Sequence, residues 1–283
     1  MRYCLFCFVI VFMAGCVSRA EPPALSEASS FSEASSGASA AQGQQALAAA
    51  QNAGGDGVRG CRAVNHQQID YIVCRFDPAR NDIRLFLNNK DGAPYGHFNR
   101  VNEALADKGE MLAFAMNAGM YHEDRRPVGL YIENGEIETP ANHNDGPGNF
   151  HMKPNGVFFV TGPRADVEDM QTFARIKQPV DYATQSGPML VIDGAIHPRF
   201  LPDSNSLKRR NGVGVTQTGE VIFVLADTPV RFYDFAIFFR DELKTPDALY
   251  LDGSISRLYA PELGRNDPGL AMGPIVGVVT EAD

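Results

Sequence analysis

The chain has 283 residues, 44% hydrophobic and 21% charged, a composition with material for a sizeable globular core. A formal charge of −9 and a pI near 5.2 leave no basic field to attract a phosphate backbone, so no nucleic acid partner is expected; a local arginine site for one phosphate remains open.

Residues 1–15 read as a signal peptide. Arg2 precedes an apolar run from Tyr3 to Met13, too short for a membrane-spanning helix, which takes about 20 residues, and the small residues Ala14 and Gly15 follow. The segment Met13-Ala14-Gly15-Cys16 resembles the lipobox of bacterial lipoproteins, with Met13 in place of the usual leucine. That resemblance implies that Cys16 is lipidated, that several acyl chains anchor the protein, and that Val17, where an inner-membrane signal has Asp, sends it to the outer membrane facing the periplasm. Residues 16–59 contain almost no large apolar side chains and read as a flexible linker, whose ~40 residues span on the order of 35 Å. A folded domain is expected over 60–283, held near the membrane of the bacterial cell envelope and not embedded in it.

Cys4 and Cys7 leave with the signal and Cys16 takes lipid, so of five cysteines Cys61 and Cys74 remain. In an oxidising compartment this pair is most simply a disulfide closing the first strands, because beyond the expected signal peptide, which holds Cys4 and Cys7, there is neither a CxxC motif nor a Cys/His cluster.

The domain then reads as follows. Ile69, Tyr71 and Val73 alternate as a strand, and 83–87 forms another; Phe98, Val101, Ala104 and Leu105 share a helix face that ends at Lys108-Gly109. A strand over 111–116 ends in Asn117-Ala118-Gly119. Hairpin turns follow at Glu133-Asn134-Gly135-Glu136, Ile192-Asp193-Gly194-Ala195 and Gln217-Thr218-Gly219-Glu220. Phe232, Phe235, Ala236, Phe239 and Leu243 predict a second helix stopped by Lys244-Thr245-Pro246, and the strand 248–251 runs into Asp252-Gly253-Ser254. With no tandem repeat and no second linker, the expected fold is α+β: a single strand-rich domain with a mixed or antiparallel sheet and a few packed helices.

Four polar turns interrupt the apolar pattern: Asn117-Ala118-Gly119-Met120-Tyr121, Gln185-Ser186-Gly187-Pro188, Arg209-Arg210-Asn211-Gly212 and Asp252-Gly253-Ser254-Ile255-Ser256. Singly, each is ordinary turn chemistry; together they supply amide, hydroxyl, guanidinium and carboxylate groups, the mixture a sugar-phosphate pocket needs. In this order, with Pro127-Val128-Gly129-Leu130, Lys153-Pro154-Asn155-Gly156-Val157-Phe158 and Gly212-Val213-Gly214-Val215, they resemble the phosphodiester glycosidase family, the domain of the lysosomal uncovering enzyme and of bacterial envelope relatives. The resemblance covers roughly residues 61–280.

The resemblance implies a hydrolase that cleaves the glycosidic bond of a sugar-1-phosphodiester, giving free sugar and a phosphomonoester, with a sugar-phosphate-containing glycan or glycolipid as partner. Asp252 matches the Asp of the family's Leu-Asp-Gly-Gly pattern and is the expected catalytic carboxylate; Ser254 stands where the family has a second glycine. Arg210 is the preferred phosphate ligand, since guanidinium binds phosphate oxygens bidentately, and Arg209 should face the opposite way on a strand. Asn117 and Asn155 suit sugar hydroxyls, Ser186 with the Gly187 amide suits a phosphate or hydroxyl oxygen, and Gly119, Asn211 and Ser256 complete the expected substrate-binding set. Asp227, at a strand end, reads as catalytic partner, metal ligand or simple strand-end aspartate.

No cofactor is required by the sequence. Dependence on a divalent cation such as Ca²⁺ stays open, without an EF-hand loop to support it. None of the six histidines forms an HxH or HExxH pair, and Ser186-Gly187 lacks the GxSxG elbow, so zinc and serine hydrolases find no support. Two alternatives keep the fold: a non-catalytic glycan-binding or scaffold lipoprotein, and a phosphodiesterase that releases sugar-1-phosphate.

Overall fold

Cys61 and Cys74 face each other across the first hairpin and are joined by a disulfide. The computed structural model describes residues 60–253 and 255–282; the expected signal peptide, Cys16 and linker, and also Ser254, lie outside the described residues.

The hairpin strands are β1 (Cys61–His66) and β2 (Ile69–Phe76), followed by β3 (Asp82–Phe86), helix α1 (Phe98–Ala106) and β4 (Glu110–Asn117). β5 (Tyr131–Glu133) and β6 (Glu136–Thr139) turn on Asn134-Gly135, with φ of 53° and 81°, the pair of positive values a type I′ hairpin needs. Next come β7 (Gly156–Thr161), β8 (Arg164–Asp169) and a short helix α2 (Met170–Phe173), whose first amides bond the Asp169 side chain. β9 (Tyr182–Ser186) precedes the hairpin of β10 (Met189–Ile192) and β11 (Ala195–Ile196), and β12 (Lys208–Val215) pairs with β13 (Val221–Val230). All three expected hairpins are present.

The helix expected from Phe232 is α3 (Phe232–Ile237), which widens into a π-helical turn over Phe238–Glu242. Leu243 N–H reaches Phe238 O at 3.1 Å and Thr245 N–H reaches Phe239 O at 3.1 Å. Consecutive Phe238 and Phe239 are both buried, which the wider turn allows on one face. β14 (Asp247–Asp252), β15 (Leu258–Ala260), β16 (Arg265–Asn266) and β17 (Ile275–Glu281) complete the strands.

These strands form three sheets, ordered β1-β2-β13-β12-β14-β10-β11, β16-β15-β4-β17-β3 and β6-β5-β9-β7-β8. The pairings are antiparallel. Period-2 alternation sends one face of each sheet into a shared core: Phe76 and Phe223 from the first, Phe114 from the second and Phe158 from the third. Phe223 lies 5.0 Å from Phe114 and 5.6 Å from Phe158, ring centre to ring centre, so one aromatic cluster joins all three sheets. The outer faces are also buried, against α3 for the first sheet, α1 for the second and α2 for the third. Burial on both faces explains why strands such as Met111–Met116 read as continuous apolar runs and do not alternate. The strands that carry the polar turns therefore end at a rigid junction between sheets.

Candidate functional site

The strand ends meet through their polar side chains. Asn211 and Asp252 are paired across β12 and β14, and Asp252 N–H donates to Asn211 Oδ1 at 2.8 Å. The other end of the Asn211 amide donates to the Asn117 carbonyl at 2.7 Å, tying the first sheet to the second. Asn117 Nδ2 donates to Asp252 Oδ2 at 3.2 Å, and Asn117 Oδ1 accepts Arg257 N–H at 2.9 Å. The third sheet joins through Ser186, whose hydroxyl donates to Leu251 O at 2.8 Å. Ser186 pairs with Gly156 across β9 and β7, which brings Asn155 alongside.

Close backbone approach makes this junction possible. A Cβ on Gly119 would lie 2.6 Å from the Gln185 carbonyl oxygen and against Thr184 Oγ1; on Gly187 it would lie 2.6 Å from Asn155 Cβ and 2.8 Å from Phe150 O. Only glycine fits either position without moving backbone.

Asp252 ends up largely enclosed, and burial pushes its carboxyl from 3.8 to about 6, against the hydrogen bonds from Gly253 N–H and Asn117 Nδ2 that favour the ionised form. At neutral pH it is still mostly a carboxylate. Asn117, Asn211, Ser186 and Ser256 are buried, and their polar groups are largely spent on holding the junction. Ser256 Oγ, for example, donates to Gly253 O at 2.7 Å. Asn155 donates through Nδ2 to Phe150 O at 3.1 Å.

Arg210 and Arg209 face opposite ways, as strand alternation requires. The Arg210 guanidinium stacks 3.6 Å above the Phe232 ring, with Nε donating to Val230 O at 2.9 Å and Nη2 to Ser206 O at 3.0 Å. Arg210 is 1% exposed, and among the described residues no carboxylate is in ion-pair contact with it. Its guanidinium carbon also lies 5.6 Å from the Tyr250 ring centre, and the Tyr250 hydroxyl, near Asn149, lies within electrostatic range of both Arg210 and Asp252. Burial, then the Asp252 charge, raises the Tyr250 pKa and keeps its proton in place.

Asp227 is held differently. Its oxygens take Arg209 at 2.6 Å and Arg265 at 2.8 Å, in a cluster that includes Asp267. No hydrogen bond connects it to Asp252 among the described residues, and the structure thus places it in an ion-pair network joining the first two sheets. Among the described residues no group of three or more His, Cys, Asp or Glu is arranged to hold a metal ion.

Tyr250 and Asn149 are absent from the sequence-derived set. Tyr250 had a legible signal, since it stands two positions before Asp252 on one strand. Asn149 had none, because it arrives on an irregular loop.

The family model for phosphodiester glycosidase matches residues 110–278. The Escherichia coli (strain K12) protein described as uncharacterized protein YigE is 37% identical over 183 residues, 65% of this chain and 71% of that one. The solved catalytic domain of zebrafish N-acetylglucosamine-1-phosphodiester alpha-N-acetylglucosaminidase, auto-inhibited by its pro-peptide, is similar in fold, with a TM-score of 0.55 at 12% identity over 77% of this chain and 81% of that one. The family match runs from β4, which ends at Asn117, through β14, which ends at Asp252, and on that match the chain belongs to the phosphodiester glycosidase family.

Proposed function

We propose that this protein is a glycosidase acting on sugar-1-phosphodiesters of envelope glycans or glycolipids. The observation that carries this reading is Arg210: a buried guanidinium without a carboxylate partner, connected through Tyr250 to the surroundings of a buried carboxylate. A buried cation is costly unless something anionic compensates it, and a phosphodiester supplies one negative charge of suitable geometry.

In this reading the phosphate sits at the Arg210 and Tyr250 side, with the anomeric carbon beside Asp252. As the bond between C1 and the phosphate oxygen breaks, its electron pair leaves with that oxygen and C1 gains oxocarbenium character. Ionised Asp252 stabilises that charge. Water oxygen bonds to C1; one of its protons stays on the new sugar hydroxyl and the other goes to the phosphomonoester or solvent. Phosphate is a good leaving group, so a cationic environment does much of what a general acid does elsewhere.

Attachment to the envelope through Cys16 belongs to the same proposal. It is supported by the Met13–Cys16 segment and by the Cys61–Cys74 disulfide, a bond favoured in oxidising compartments. Replacing Cys16 with Ser should move the protein from the membrane fraction to the soluble fraction.

The activity is tested with a panel of UDP-hexoses in oxygen-18 water. Free sugar carrying the label is expected, with a loss of at least about a hundredfold in kcat/KM for Asp252→Ala and Arg210→Ala. Label in phosphate would assign the cleavage to phosphorus; unchanged rates in both variants would refute the site.

A further inference from the structure

Beside α1, where β3 of the second sheet meets β5 and β9 of the third, lies a cavity of about 170 Å³. Glu133, at the end of β5, is the only carboxylate among the residues that line it. Its Oε2 accepts Tyr131 O–H at 2.8 Å and Leu87 N–H at 3.1 Å, which fixes the carboxyl in place. Oε1 takes no hydrogen bond from the described residues and is not sealed in the interior, so it opens on the cavity. Burial pushes the Glu133 pKa up to about 7 against those two bonds, the mark of a charge that the protein itself leaves uncompensated.

Much of the wall is aromatic. Phe86 and Tyr95 pack edge to face with ring centres 6.3 Å apart, and Tyr182 is held by its hydroxyl, which donates to Asn134 Oδ1 at 2.8 Å. Two basic residues also line the cavity. Arg84 is taken up by two carboxylates, Asp82 at 2.5 Å and Glu110 at 2.7 Å, so that group is net negative. Lys108 is exposed just beyond α1, where solvent screens its charge. The half-buried Glu133 end is therefore anionic. A partly desolvated carboxylate with an open oxygen favours a charged donor over a neutral one, and aromatic faces attract cations as well. A cavity of about 150 Å³ takes benzene, so this one holds roughly six heavy atoms, enough for a small amine and too few for a hexosamine.

We infer that this cavity binds a small primary ammonium, which donates to Glu133 Oε1 among the rings of Phe86, Tyr95 and Tyr182: a second ligand site, separate from the Asp252 junction and independent of the glycosidase reading.

The test titrates ethanolamine into the detergent-extracted full chain, followed by saturation-transfer NMR, with 1,2-ethanediol as an uncharged probe of the same size. Ethanolamine should bind saturably at about millimolar concentration, and the diol at least about tenfold more weakly. Glu133→Gln keeps an acceptor for Tyr131 and Leu87 and should lose at least about tenfold in affinity for ethanolamine. Ala104→Leu fills the cavity from α1 without altering the carboxylate and should lose as much. Thermal unfolding checks that both variants are folded, and either one suffices for the comparison. No saturable binding of ethanolamine, equal binding of the diol, or wild-type affinity in a folded variant overturns the site and leaves the glycosidase reading untouched.

Discussion

Asn211 Oδ1 accepts the backbone N–H of Asp252 at 2.8 Å, so the residue expected to bind substrate instead holds the carboxylate beside it. Removing that amide leaves Asp252 N–H and the Asn117 carbonyl without this partner in a buried setting. Asn211→Ala should cost about 2–4 kcal/mol in stability, measured by urea unfolding, and should lower kcat more than it raises KM. A variant with wild-type stability would show that the two sheets do not depend on this link.

The buried Asp252 carboxyl has opposite consequences for stability and activity. Its folded pKa of about 6 exceeds the ordinary 3.8, so between these values the folded state binds more protons than the unfolded state and stability falls as pH rises. Above about pH 6 the cost levels off at about 3 kcal/mol. Compared with wild type, Asp252→Asn should gain that amount between pH 4 and pH 7 while losing activity, and wild-type kcat/KM should rise with pH through about 6. A pH-independent stability difference would contradict the burial.

Glu133 provides a second titration, away from the site. Burial raises its pKa from 4.5 to about 7, although its carboxylate accepts Tyr131 O–H at 2.8 Å and Leu87 N–H at 3.1 Å. Its stabilising contribution is complete below about pH 4.5 and is lost as pH rises through 7. Glu133→Gln retains an acceptor for both donors, and should gain about 2–3 kcal/mol over wild type between pH 4.5 and pH 8 in thermal unfolding.

The disulfide closes β1 on β2, whose other edge pairs with β13. Replacing both Cys61 and Cys74 with Ser should lower unfolding free energy by about 3 kcal/mol, and reductant should destabilise the wild type but not the double variant. Equal sensitivity of both proteins would rule the bond out as the cause.

Local chemistry made much of this protein legible in one dimension. Asn134-Gly135 and Asp193-Gly194 announce their hairpins because few other dipeptides tolerate two positive φ values. The apolar spacing of Phe98, Val101 and Leu105 marks a helix with one buried face. The cysteine pair and the four polar turns are equally visible, because each depends only on residue type and neighbours in the chain. Even the opposed directions of Arg209 and Arg210 follow from strand alternation.

What each polar group does depended on residues far away in sequence. Asn211, Ser186 and Ser256 have the same chemistry whether they meet substrate or protein; only the packing of three sheets spends them on Asn117, Leu251 and Gly253. Asp227 reads equally as catalytic partner, metal ligand or strand-end aspartate, and only the fold closes Arg209 and Arg265 around it. Conversely, Tyr250 stands out in the sequence only by its spacing from Asp252, and the fold sets its ring 5.6 Å from the Arg210 guanidinium carbon. Sequence determined which strands end in polar turns. Tertiary structure alone decided which of those groups are enclosed, and hence their hydrogen-bond partners and, for Asp252, its pKa, because desolvation depends on everything packed around an atom and not on its neighbours in the chain.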